Sequence, residues 1–147
     1  MFRFKLQPLL KFRKRQEEGK QREVAVINRE LIGARNQISE FSAQRKEAVI
    51  KLTEISAHAT GVNVIRLYED FINGKDADIA WKEKEMESID KKLADKQTEL
   101  AEYVRRRRVL ELLRNRQKEA YEKEENKKER IFTDEVATQL YFREAML

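Results

Sequence analysis

The sequence predicts an all-α fold: a long two-helix antiparallel coiled-coil hairpin with a short helical turn segment. Three observations carry this. Charged residues make up 40% of the 147 residues, with only four glycines and one proline, whereas a typical domain has about 25% charged residues and builds its loops from Gly and Pro. Hydrophobic residues also make up 40%, which separates the chain from the apolar-poor sequences that stay disordered. Those apolar residues recur in the alternating steps of three and four that define a heptad.

The chain opens "FRFKLQPLL", with Phe2, Phe4 and Leu6 alternating with Arg3 and Lys5. Pro8 marks the start of arm 1 (about 8–60), because proline is tolerated in a helix's first turn. The register is then Val24, Ile27, Leu31, Ala34, Ile38, Phe41, Arg45, Ala48, Leu52, Ile55, Ala59 and Val62, apolar at eleven of twelve positions. Arg45 is the break, and a charged seam residue can set register at some cost in stability.

Gly61 stands where a helix C-terminal glycine belongs. Asn73-Gly74 is a second punctuation, with Asp76 and Asp78 placed to cap the second long helix. These bound a turn segment of about 61–77, in which "VIRLYEDFI" is long enough for a short helix. Arm 2 (about 78–147) reads Ile79, Lys82, Met86, Ile89, Leu93, Lys96, Leu100, Tyr103, Arg107 and Leu110, apolar at seven of ten. "VLELL" (109–113) adds apolar residues on neighbouring faces. "RNRQKEAYEKEENKKER" is nearly all polar, a solvated helix supported by i,i+4 pairs. Phe132, Val136 and Leu140 restore helical apolar spacing near the end. The whole reads as one hairpin domain over 1–147. Each arm reaches roughly 60 residues, or about 90 Å at 1.5 Å per residue. A turn centred near residue 73 sets residue i opposite about 146 − i, so residues 105–130 face 16–41. "FRFKLQPLL" then lies beside "FTDEVATQLYF". These apolar ends either seal the open end of the coiled coil or dock onto a partner.

Charge is patterned along the chain. The net charge is +5 overall. Residues 1–22 hold eight Lys/Arg and two Glu, residues 69–102 six Lys and eleven Asp/Glu, and residues 105–130 eleven Lys/Arg and six Glu. The chain is therefore basic, then acidic, then basic. "VRRRRV" (104–109) suits non-specific phosphate binding, but interleaved glutamates and the acidic middle argue against a nucleic-acid partner.

Catalytic chemistry finds no purchase. There is no cysteine and a single histidine, His58, which has no second His or Cys with which to share a metal and no nucleophile to activate. No glycine-rich phosphate loop exists, and carboxylates on wet helix faces stay ionised. We expect no enzyme activity, no cofactor and no metal. No apolar run approaches the roughly 20 residues of a membrane span, and the N-terminus lacks the apolar core of a secretory signal. The expectation is a soluble, cytoplasmic protein. Trp81, Tyr68 and Phe71 are rare large aromatics near the turn, which either pack there or form an exposed hot spot.

Several segments, in order along nearly the whole chain, resemble the flagellar export protein FliJ family. They are the opening "FRFKLQPLLKFRKRQEE", "YEDFI" (68–72), and "RRRRVLELLRNRQKEAYEKEENKKERIFTDEVATQLYFRE" with its "DEVA". The resemblance implies a non-enzymatic hairpin, similar to the stalk subunit of rotary ATPases, in the flagellar type III export apparatus. Implied partners are the export ATPase FliI, the membrane export gate FlhA and flagellar export chaperones, with peripheral membrane association through these proteins and no nucleic acid. It also implies gate contact around Tyr68, Phe71 and Ile72, and ATPase contact through the paired ends, Phe2, Phe4 and Leu6 with Val136, Leu140 and Tyr141. Phe71 and Ile72 are retained, but Gly74, Lys75 and Asp78 come next where the family has small or apolar residues. The virulence-secretion counterparts share this architecture. A homodimeric structural coiled coil and a basic nucleic-acid-binding helical protein are rival readings of the same composition.

Overall fold

The protein, described over residues 1–58 and 61–146 of a computed structural model, consists of two helices, α1 (Gln7–Ala57) and α2 (Val62–Ala145). They pack against each other as an all-α hairpin. Proline sits in the first turn of α1, where its missing N–H is not needed. There the Leu10 amide already bonds back to the Leu6 carbonyl at 3.0 Å.

The expected seam of α1 faces inward. From Val24 to Ile55 every heptad residue is buried or half-buried, and Ala59 lies outside the described residues. Val62 does not continue that seam: it opens α2 and is 77% exposed. The α2 seam from Ile79 to Leu110 is likewise withdrawn from solvent throughout.

The turn differs from the sequence-based expectation. Helix α1 ends at Ala57, with the His58 amide bonded to the Ile55 carbonyl at 3.1 Å. Gly61 is not the left-handed cap of α1, since no glycine has positive φ among the described residues. Instead its carbonyl accepts the Val64 amide at 3.0 Å at the start of α2. Residues 62–77 are the first turns of α2, and Asn73-Gly74 passes without a break. The physical reason lies in the seam. Ile65, Tyr68, Ile72, Lys75 and Ile79 keep the three-and-four step, and all are withdrawn from solvent. One internal glycine costs a helix only about 1 kcal/mol, which this packing exceeds. A Cβ on Gly74 would meet nothing within 4 Å. Gly74→Ala is therefore expected to raise stability by roughly 0.5–1 kcal/mol. Urea denaturation checks this, and a loss of stability would show a conformation that only glycine adopts.

Moving the turn moves the register. The chain forms two compact units, residues 18–101 and residues 1–17 with 102–147. In the first, Arg45 pairs with Asp76, Lys20 with Glu99 and Lys96 with Glu23. In the second, Glu17 pairs with Arg107, Lys14 with Glu111, and Phe2 meets Tyr121. Facing residue numbers thus add to between 119 and 125, not 146. Residues 105–130 and 16–41 therefore do not face each other along their length and meet only at the edge where Glu17 pairs with Arg107.

The core is thin, as two helices allow. In residues 18–101 it centres on Leu31, Ala34 and Ile89, backed by Ile27, Met86 and Leu93. In the other unit Phe4 is 7% and Leu10 0% exposed. Residues 122–146 are all exposed. Trp81 does not pack against the turn either, being 73% exposed.

Candidate functional site

Each unit exposes apolar side chains beside a groove between its helices. Among the described residues no group of three or more His, Cys, Asp and Glu could hold a metal ion, and no helix is long and apolar enough to cross a membrane.

In the unit of residues 18–101, a groove of about 590 Å³ runs between the arms near the turn. Helix α1 contributes Gln44, Glu47, Ala48 and Lys51, and α2 contributes Leu67, Tyr68, Phe71 and Lys75. The heptad explains the division of labour. Tyr68 and Ile72 occupy seam positions and are half-buried, while Phe71 and Leu67 flank the seam, 46% and 69% exposed. The three expected gate-contact residues are therefore adjacent but not equivalent. Phe71 offers its ring outward, whereas Tyr68 and Ile72 mostly hold the hairpin together. Lys75 sits on the seam, and its ammonium lies over the Phe41 ring at 4.8 Å and the Phe71 ring at 5.3 Å. The side-chain oxygen of Gln44 is buried with no hydrogen-bond partner. Sequence reasoning did not single out Gln44, Ala48 or Lys51. Only the register, which brings 44–51 beside 67–75, could have named them.

In the other unit the expected tip splits in two. Phe2 packs on Tyr121 with ring centroids 5.9 Å apart, and the N-terminal ammonium donates to the Tyr121 hydroxyl at 2.7 Å. Phe4 is buried and Leu6 is 39% exposed. Phe2 and Phe4 thus cover α2 around residues 114–121. Val136, Leu140 and Tyr141 lie at least fifteen residues further along α2, about 22 Å at 1.5 Å per residue, and are 39%, 56% and 72% exposed. With Phe132, Phe142 and Met146, at 68%, 63% and 89% exposed, they leave the last turns of α2 with exposed apolar side chains on several sides, since about 3.6 residues per turn set Tyr141 opposite Phe132. "FRFKLQPLL" and "FTDEVATQLYF" do not meet, because α1 ends at Ala57 and α2, from Val62 to Ala145, is the longer helix.

Charge pairs hold each unit's register. Glu23 and Glu99 share Lys20 and Lys96, with N–O distances of 3.1–3.3 Å. Hydrogen bonding to these carboxylates raises both ammonium groups above their usual range, and bonds from Lys96 and Lys20 hold both carboxyls below theirs. In the other unit Glu17, 8% exposed, bonds Arg107, which also reaches Glu111 at 2.6 Å. Burial works to raise the Glu111 carboxyl, but the hydrogen bond and charge of Arg107, with Lys14, leave it lowered.

A protein-family model described as "Flagellar FliJ protein" matches residues 2–146. No curated protein and no solved structure matches significantly.

Proposed function

Because this chain belongs to the FliJ family, of flagellar export apparatus components, we propose that it couples the export ATPase FliI to the membrane export gate FlhA and escorts export chaperones. It does so without catalysis of its own, from a cytoplasmic position at the inner-membrane export apparatus. One observation carries the reading. A single 84-residue helix, α2, bears exposed apolar side chains in its first turns, at Leu67 and Phe71, and again in its last, from Phe132 to Met146. A coupler needs two docking surfaces, and α2 contributes exposed apolar side chains to each of the two units.

The groove at Phe71 is the gate contact in this reading, and the unpartnered end of α2 is the ATPase contact. The basic segments favour an acidic partner wall and rapid encounter more than high affinity. Phe71→Ala tests the gate assignment. A phenylalanine buried at an interface contributes roughly 1.5–3 kcal/mol, so FlhA binding is expected to weaken by about tenfold or more. Because Phe71 is 46% exposed in the free chain, helicity and melting temperature should stay close to the parent's. Unchanged gate binding with a strongly lowered melting temperature would make Phe71 a packing residue and refute the assignment.

A further inference from the structure

The unit of residues 1–17 with 102–147 carries a cleft that the sequence did not announce. It has a volume of about 1070 Å³ and lies between the first residues of the chain and α2. Arg3, Lys5 and Lys11 line one bank, Arg114 and Lys118 the other, and no carboxylate lines it at all. Elsewhere on the hairpin the cations that face across the arms have carboxylate partners, as Lys14, Lys20, Lys96 and Arg107 do. Among the described residues Arg3, Lys5, Lys11 and Arg114 have no ion pair, and Lys118 reaches only Glu122, at 3.7 Å on the exposed surface. Like charges converging on a concavity focus a positive potential into it.

The lining decides which anion fits. A phosphate cradle uses free backbone amides at a helix start, and the first turn of α1 has few to offer. The Gln7 amide is already bonded to the Phe4 carbonyl at 3.2 Å, the Leu10 amide to Leu6, and Pro8 has no N–H. Phe2, Phe4 and Pro8 instead give the cleft apolar surface among the cations of its N-terminal bank. That combination suits carboxylates flanking a hydrophobic side chain.

We propose that this cleft seats an acidic segment of a partner protein, with carboxylates on the two cationic banks and one apolar side chain between them. This site is separate from the end of α2 that is proposed to meet the ATPase, and the proposal names the chemistry of its own partner.

The test is a fluorescence-anisotropy titration of the full chain at low ionic strength. The probe is a short labelled peptide of glutamates around a central phenylalanine; competitors are the same peptide with alanine at the centre and inorganic polyphosphate. Saturable binding is expected, weakened by salt and weakened about tenfold or more by R114E/K118E. The variant K5E/K11E, altered on the opposite bank at exposed positions, should lose binding similarly, and circular dichroism should show both variants folded. The alanine peptide should compete less well than the parent peptide, and polyphosphate should compete poorly. Absent binding, binding indifferent to both charge-reversed variants, equal competition by the alanine peptide, or strong competition by polyphosphate would each overturn the proposal. A parallel pull-down of the export ATPase by the parent chain separates the two proposals: no peptide binding with ATPase binding kept refutes the acidic-segment site and leaves the coupling function standing.

Discussion

Ending the chain at Tyr121 is expected to weaken binding to the export ATPase by about two decades while leaving the hairpin as stable as before. Every residue from 122 to 146 is exposed, so none of them contributes packing to the rest of the fold. The segment is helical because it propagates from the paired part of α2. Nucleation is the costly step of helix formation, and propagation adds one hydrogen bond per residue. Surface pairs such as Lys128–Glu125 at 3.3 Å add little. Removing the segment should therefore change unfolding free energy by no more than about 0.5 kcal/mol. Its loss at an interface is a different matter. Phe132, Val136, Leu140 and Tyr141 each contribute roughly 1.5–3 kcal/mol if fully buried by a partner. Ordering and incomplete burial reduce that total, but a loss of about two decades in affinity remains expected. Calorimetry of the truncated chain against the ATPase, beside a urea melt, reads both quantities. Full binding by the truncated chain would move ATPase contact away from the end of α2 and onto Leu6 and the N-terminal residues.

Leu10→Ala should have the largest effect on stability of any single apolar truncation near the chain's start. Leu10 is 0% exposed, while its neighbours Leu9 and Phe12 are 38% and 53% exposed. Buried Leu→Ala substitutions cost about 2–5 kcal/mol through lost transfer energy and the cavity left behind. In a two-helix fold with so thin a core, that is a large share of a total that is roughly 5–15 kcal/mol in ordinary domains. Phe12→Ala is the control, expected to cost about 0.5 kcal/mol or less. Denaturant midpoints with unchanged slopes would report the difference as stability alone. Equal effects for Leu10 and Phe12 would contradict the burial of one and the exposure of the other.

Much of the fold was legible from spacing. The seam from Val24 to Ile55 and the seam from Ile79 to Leu110 face inward as the heptad requires, because side-chain direction in a helix follows from residue number. The site was less legible. Tyr68, Phe71 and Ile72 are close in sequence, yet only Phe71 among them is exposed, and the heptad run through Ile65, Tyr68, Ile72 and Lys75 already carried that distinction. Asn73-Gly74 reads as a break because the pair favours turns locally; cross-helix packing overrode that local preference.

By itself the sequence determined the class of structure: two long helices, each with one apolar stripe, and a family resemblance spread along the chain. The period of 3.5 residues is a local property, so it survives without knowledge of what lies opposite. Only the tertiary structure decided the register, and with it which ends meet. A heptad seam looks much the same after sliding by whole turns, so apolar spacing cannot choose among the alignments. The choice fell to where α1 ends, at Ala57, and α2 begins, at Val62, and to charge pairs such as Glu17–Arg107 and Lys20–Glu99. These favour one alignment over its neighbours because opposite charges must come within a few ångströms to interact strongly. That alignment put Phe2 against Tyr121 and left the last turns of α2 without a partner.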